Sequence, residues 1–198
     1  MDRFDLEKKD VLRKLSSIDK SKKGSVDSDI LDLINLINSK KDYYTTSSCS
    51  GRIMLIDKGA GRKDLSKWLL SSHFPIETKD FLEVFSDDYL SSEEFKKAEV
   101  WFMEEPAILH VCARDIDSAK VFLELVREIS FKRSGIISMS RRIIIEILDT
   151  EKMETLVTKK GKLYVDPEYA DILVKEANNK LKRTKDKLKR LYDKIYSK

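Results

Sequence analysis

Apolar residues at Phe4, Val11, Leu12 and Leu15 recur at helical spacing, so positions 4–17 read as a helix. A second helix follows Asp27 or Ser28, either of which can cap it, with Ile30, Leu31, Leu33, Ile34 and Ile37 as its stripe. The polar stretch between them carries Lys23, Gly24 and Ser25 and reads as a loop. Tyr43-Tyr-Thr-Thr46 is aromatic and β-branched, which predicts a strand. Positions 52–56 predict another, with Ser47-Ser-Cys-Ser-Gly51 as the connecting loop. Further strands are expected at 67–70, 107–113, 136–137, 142–148 and 162–165. Asp115 or Asp117 caps a helix bearing Ala119, Phe122, Leu123, Val126 and Ile129. Pro167 after Asp166 opens a last helix, since proline suits the first helical position. Its expected seam is Tyr169, Ile172, Leu173, Leu181, Leu188, Leu191 and Ile195. Strands interleaved with helices, without a regular βαβ repeat, give an α+β class: a compact domain with a mixed sheet or barrel, flanking helices and a long C-terminal helix.

Composition sharpens this picture. The 198 residues are 41% hydrophobic, enough for a sizeable core, and 37% charged, against roughly 25% in an average domain. Glutamine is absent and asparagine occurs four times, a balance typical of heat-adapted proteins. No apolar run approaches the ~18 residues of a membrane span, and the N-terminal residues lack the apolar stretch of a signal peptide. A cytoplasmic protein is expected. Two cysteines, Cys49 and Cys112, make no disulfide framework, and no His/Cys spacing suggests zinc, so no metal is expected.

The net charge of +4 is unevenly placed: positions 175–198 carry +7 and the rest −3. A basic rod suits a polyanion such as RNA, and a solvated helix face is the plainer reading. The sequence places the half up to Leu181 against the domain. The half from Lys182 onward, with Lys182, Arg183, Lys185 and Lys189, is left to reach an RNA backbone away from the Ser-rich loop. A coiled coil along the same seam is a further alternative.

Candidate chemistry lies in a few places. The six glycines build no dinucleotide or P-loop fingerprint, so the fold is not Rossmann-like. Thr45-Thr-Ser-Ser-Cys-Ser-Gly-Arg52 gathers hydroxyls, a flexible glycine and a guanidinium able to grip a carboxylate or phosphate, although such a stretch is also what an ordinary loop looks like. On the strand 107–113, alternation sets His110 and Cys112 on one face with Arg114, opposite Leu109, Val111 and Ala113. His73 and His110 are the only histidines, so each is a candidate proton acceptor or a structural residue. Tyr43, Trp101 and Phe102 suit either base stacking or the core.

Lys23-Gly-Ser-Val-Asp27, Tyr43-Tyr-Thr-Thr-Ser-Ser-Cys-Ser-Gly-Arg-Ile53, Trp68-Leu-Leu-Ser-Ser-His73, Glu105-Pro106, Leu109-His-Val111, Arg114, Phe131-Lys-Arg-Ser-Gly135 and Gly161-Lys-Leu163 together resemble the wybutosine-synthesis methyltransferase family, in the same order and over nearly the whole chain. Two positions depart from the family pattern: Met103 stands where a lysine is usual, and Leu148-Asp-Thr150 where Arg-Ser-Thr is usual. The resemblance implies one methyltransferase domain over 1–198, archaeal in type, with 167–198 as its basic helix. It also implies an S-adenosylmethionine-dependent enzyme that methylates the N-4 ring nitrogen of the 7-aminocarboxypropyl-demethylwyosine base at position 37 of tRNA-Phe, next to the anticodon. A non-catalytic RNA-binding maturation factor is the alternative. The expected site has His73, His110 or Asp27 as base, with Lys23, Ser25, Ser47, Ser48, Ser50, Gly51, Arg52, Arg114 and Ser134 binding substrate or cofactor. The expected partner is the anticodon stem-loop, met by a monomer.

Overall fold

The computed structural model describes residues 2–16, 28–59 and 66–197. In chain order the elements are α1 (Arg3–Ser16), α2 (Ser28–Ser39), β1 (Tyr43–Cys49), β2 (Arg52–Asp57), β3 (Lys67–Ser72), α3 (Thr78–Glu83), α4 (Asp87–Ser91) and α5 (Glu93–Lys97). They continue with β4 (Val100–Glu105), β5 (Ile108–Ala113), α6 (Ile116–Glu128), β6 (Gly135–Ser138), β7 (Ile143–Leu148), β8 (Met153–Leu156), β9 (Thr158–Lys159), β10 (Lys162–Leu163) and α7 (Pro167–Tyr196). The chain divides into two compact units: Met1–Ser50, Ala107–Thr150 and Thr184–Lys198 form the first, Gly51–Pro106 and Glu151–Arg183 the second.

The first unit is built on a sheet of order β1-β5-β7-β6, all antiparallel. Strand alternation turns Leu109, Val111 and Ala113 of β5 and Ile145 and Ile147 of β7 to one face. There they are buried with Ile30, Leu33, Ile34 and Ile37 of α2, the apolar stripe of α6, and Leu188, Leu191 and Ile195 of α7. Asp115 caps α6 by accepting from the Ser118 backbone N–H at 2.7 Å. Helix α1 is different. None of its described side chains is fully buried, and polar contacts to the opposite face of the sheet hold it.

The second unit carries a sheet of order β3-β2-β4-β8, also antiparallel, with β9 and β10 as a small ribbon. Ile53, Leu55, Val100 and Phe102 meet Phe81, Phe85 and Phe95 from α3, its C-terminal side and α5. Ala170, Leu173, Val174, Ala177 and Leu181 of α7 complete that core. Phe81 meets Phe102 edge to face, with ring centroids 5.1 Å apart.

Several expectations change. The loop expected at Ser47–Gly51 is mostly strand: β1 continues to Cys49, with Ser47, Ser48 and Cys49 opposite His110, Leu109 and Ile108. β1 and β2 lie in different sheets, so no hairpin joins them. Short polar side chains weaken strand propensity, and pairing with β5 overrides it. Strand β4 and helices α3 and α4 were not anticipated. The helices have five or six residues, too few for a periodic signal, and caps such as Ser86 start them. On α7 the true seam replaces Tyr169 and Ile172, both exposed, with Ala170, Val174 and Ala177. Because that seam is buried within the two cores, it offers no coiled-coil face.

Candidate functional site

In the first unit the hydroxyl-rich segment is tied down from two directions. Thr45 donates its backbone N–H to Asn38 Oδ1 at 2.8 Å, and Asn38 Nδ2 donates to Thr45 Oγ1 at 3.1 Å, all buried, locking β1 to α2. Thr46 falls where the β1–β5 register slips, and it is exposed, as is Ser47. Ser50 is fully buried. Its Oγ accepts a hydrogen bond from Lys185 Nζ at 2.6 Å, and the same ammonium lies 3.1 Å from Asp29 Oδ2. From the flanking positions of the helix, the buried Asp149 carboxylate accepts from Lys187 Nζ at 2.6 Å and from Thr184 Oγ1 at 2.9 Å. The expectation that Lys185 stands apart from the Ser-rich segment is therefore corrected.

The face of this sheet opposite the core holds a second polar cluster. His110 Nε2 lies 3.1 Å from Glu146 Oε2. Two adjoining cavities of about 310 and 440 Å³ open here, and Arg141 and Arg142 line both. Arg142 Nε donates to Glu7 at 2.7 Å, and Glu7 also accepts from Tyr44 Oη and Arg3. These donors, Arg142 foremost, hold the Glu7 carboxyl down to about 2 against the cost of burial. Tyr44 is pushed up, chiefly by burial, and so is the buried Cys112 thiol, which argues against a nucleophilic thiolate there. Arg114 is filled by carboxylates: Asp2 at 2.6 Å, Asp5 at 2.5 Å and Asp42 at 2.7 Å, with Phe4 under its guanidinium. Arg141 is the contrast, with a side chain 75% exposed and its Glu7 contact at 3.9 Å.

In the second unit, Gly51 has φ +92°, a conformation that suits glycine. Its carbonyl faces His73 Nδ1 at 2.8 Å. A carbonyl can only accept, so Nδ1 carries the proton and, in the neutral ring, Nε2 carries the lone pair. Next to Gly51, Arg52 Nε and Nη2 both reach Glu105 Oε2, at 3.0 and 2.8 Å. Its guanidinium sits 4.4 Å from the centroid of Trp68, which is 53% exposed. Phe102 belongs to the core, and Trp101 lies half-buried under Lys58.

Of the remaining candidates, Ser134 is buried and supports the fold: its Oγ accepts from the Leu148 N–H and its carbonyl from Arg127. Arg183 is paired with Glu151 and Glu176 at 3.0 and 3.2 Å, while Lys182 and Lys189 are exposed. Lys23, Ser25 and Asp27 lie outside the described residues. The departing position Met103 is buried. Sequence reasoning missed Asp29, Arg141, Arg142, Glu146 and Asp149, and quoted Trp68 in a motif without giving it a role. Only the Arg141-Arg142 pair carries a local signal; the others gain meaning from their neighbours in space. Among the described residues no His, Cys, Asp and Glu group could hold a metal, and no helix is long and apolar enough to cross a membrane.

Antiparallel sheets flanked by helices, with hydroxyls, a guanidinium and a tautomer-fixed histidine on one short motif and its contacts, define an α+β protein unlike nucleotide-binding parallel folds. The same architecture is found in the solved structure of the PH1069 protein from Pyrococcus horikoshii, with TM-score 0.85 and 36% identity over 97% of this chain and 95% of that one. A family model described as methyltransferase TYW3 matches residues 6–197, and the chain belongs to that family of methyltransferases. A relative from Thermococcus sibiricus, 39% identical over 194 residues (97% of this chain, 94% of the relative), is named tRNA(Phe) 7-((3-amino-3-carboxypropyl)-4-demethylwyosine(37)-N(4))-methyltransferase. A Methanocaldococcus jannaschii protein of the same name is 38% identical over 167 residues, 83% of each chain.

Proposed function

We propose that the chain transfers a methyl group from S-adenosylmethionine to the N-4 ring nitrogen of 7-aminocarboxypropyl-demethylwyosine at position 37 of tRNA-Phe. The observation that carries this reading is a near-full-length match at 39% identity to a relative named for that reaction. Within the second unit, Gly51 and Arg52 of the motif, with His73 on the Gly51 carbonyl, are the residues assigned to the chemistry, and within the first unit Ser47, Ser48 and Ser50 supply its hydroxyls. These residues fit such a donor. Trp68 presents an exposed ring for a purine, and hydroxyls and cations suit a carboxylate. When bound, the donor supplies an electrophilic methyl on sulfur.

The protein's part is to hold the acceptor nitrogen in line and remove its proton. His73 is the preferred base, because donation from Nδ1 to the Gly51 carbonyl sets the tautomer whose lone pair is on Nε2. His110 faces Glu146 and is assigned a supporting role. Arg52 and the exposed Arg141 are better placed than the saturated Arg114 to meet substrate anions. The protein acts in the cytoplasm as a monomer on the anticodon stem-loop, with Lys182 and Lys189 contributing backbone contacts.

The test is reconstitution. Purified protein, S-adenosylmethionine and tRNA-Phe carrying the demethylated base should yield one added methyl on that nucleoside by mass spectrometry. Absence of transfer together with absence of calorimetric heat from the donor would sink the reading in favour of an RNA-binding maturation factor.

A further inference from the structure

Lys185, Asp29 and Ser50 form an arrangement that neither the motif nor the basic run accounts for. A lysine in a solvated basic helix keeps its ammonium in water. Lys185 instead is only 23% exposed, with its Nζ on the Oγ of the buried Ser50 and beside Asp29. An ammonium has three N–H donors, and these two partners take one each. Asp29 is one-third exposed, so its carboxylate keeps lone pairs that reach solvent. A cation and an anion about 3 Å apart, both partly open, match the charges of an α-amino acid end: carboxylate toward Lys185, α-ammonium toward Asp29. Ser50 accepts from Lys185, so its own proton points elsewhere, and a charged donor makes a hydroxyl a stronger donor in turn.

We infer that Lys185 and Asp29, oriented by Ser50, recognise an α-amino-acid group. The inference rests on the function proposed above. Two sources there share that chemistry: the methionine end of the methyl donor and the aminocarboxypropyl arm of the base. Both are zwitterions on a short flexible chain, and the pair reads the same two charges in either.

The experiment uses Lys185→Met, which keeps the apolar stem, and Asp29→Asn, with thermal melting to confirm folding. Calorimetry compares S-adenosylmethionine with methylthioadenosine, which lacks the amino-acid end. Single-turnover assays compare tRNA bearing the aminocarboxypropyl arm with tRNA lacking it. If the pair reads the donor, each variant loses roughly ten- to a hundredfold in S-adenosylmethionine affinity and nothing for methylthioadenosine. If it reads the base, donor affinities hold and the preference for the arm-bearing tRNA falls by a similar factor. Ser50→Ala should then make the Lys185→Met loss smaller than in the wild-type background, as coupled residues do. Folded variants that keep both the donor discrimination and the arm preference overturn the inference. A wild-type protein that neither binds donor nor transfers methyl overturns the proposed function instead.

Discussion

The two halves of α7 carry four and five lysines and arginines, before and after position 184, and use them differently. Up to position 183 no charged pair is fully buried: Lys175 meets Asp171 at 2.6 Å, and Lys180 and Arg183 share Glu151 and Glu176. From 184 on, one cation is buried with its acid and another bonds a buried serine. Lys187 meets Asp149 in a buried pair, and Lys185 meets Ser50 and Asp29. Both halves also bury an apolar seam, so packing does not separate them. What separates them is where the partner acid sits. Glu176 lies on the exposed side of its own helix, whereas Asp149 is carried into the interior at the end of β7. A basic run is thus not one object; its charges divide between solvent and interior according to what the fold brings against them.

The sharpest way to break this contrast is to remove one acid from each half. Asp149→Ala leaves the Lys187 ammonium buried without its counterion and should cost about 3–5 kcal/mol in urea denaturation. Glu151→Gln, which leaves Lys180 and Arg183 with Glu176, should cost less, about 1 kcal/mol. Equal losses would erase the distinction. Truncating the seam comes next. Leu173→Ala and Leu188→Ala should each cost about 2–5 kcal/mol, because both side chains are buried in a core. A loss below about 1 kcal/mol in either would mean that half is not core.

Smaller effects sharpen the picture at the surface. With tRNA as partner, Lys182→Ala and Lys189→Ala should each flatten the plot of log affinity against log salt by roughly 0.7–0.9. Arg183→Ala should do less, since Glu151 and Glu176 already occupy its guanidinium. An equal change from Arg183 would show that these pairs open freely to phosphate. The smallest effect concerns acid. Lys175, and then Thr78, hold the Asp171 carboxyl below its usual value near 3.8. A carboxyl lowered by folding contributes stability above its unfolded value and loses it as pH falls through its folded one. Protection against hydrogen exchange in positions 167–183 should therefore fall between about pH 4 and 3, and Asp171→Asn should remove that step.

Much of the site was legible in the chain. Thr45 to Arg52 stands out as a crowd of hydroxyls beside a guanidinium, and His73 and His110 are its only histidines. That Ser47 to Cys49 are strand was not legible, because their own propensities are weak and the edge of β5 decides. Nor was the filling of Arg114, since Asp2, Asp5 and Asp42 are remote in sequence from it and meet it only once α1 and the start of β1 are in place.

By itself the sequence determined the four long helices and most strands, because 3.6- and 2-residue periods are local properties that survive any packing. It determined the family as well, through motifs that keep their order along the chain. Tertiary structure alone decided which charges are paired in the interior and which are merely wet. Lys182 and Lys185 are three residues apart and chemically identical, yet one is exposed and the other bonds a buried serine. The energy of a charge depends on its solvent access and its partner, and both are set by residues more than a hundred positions away.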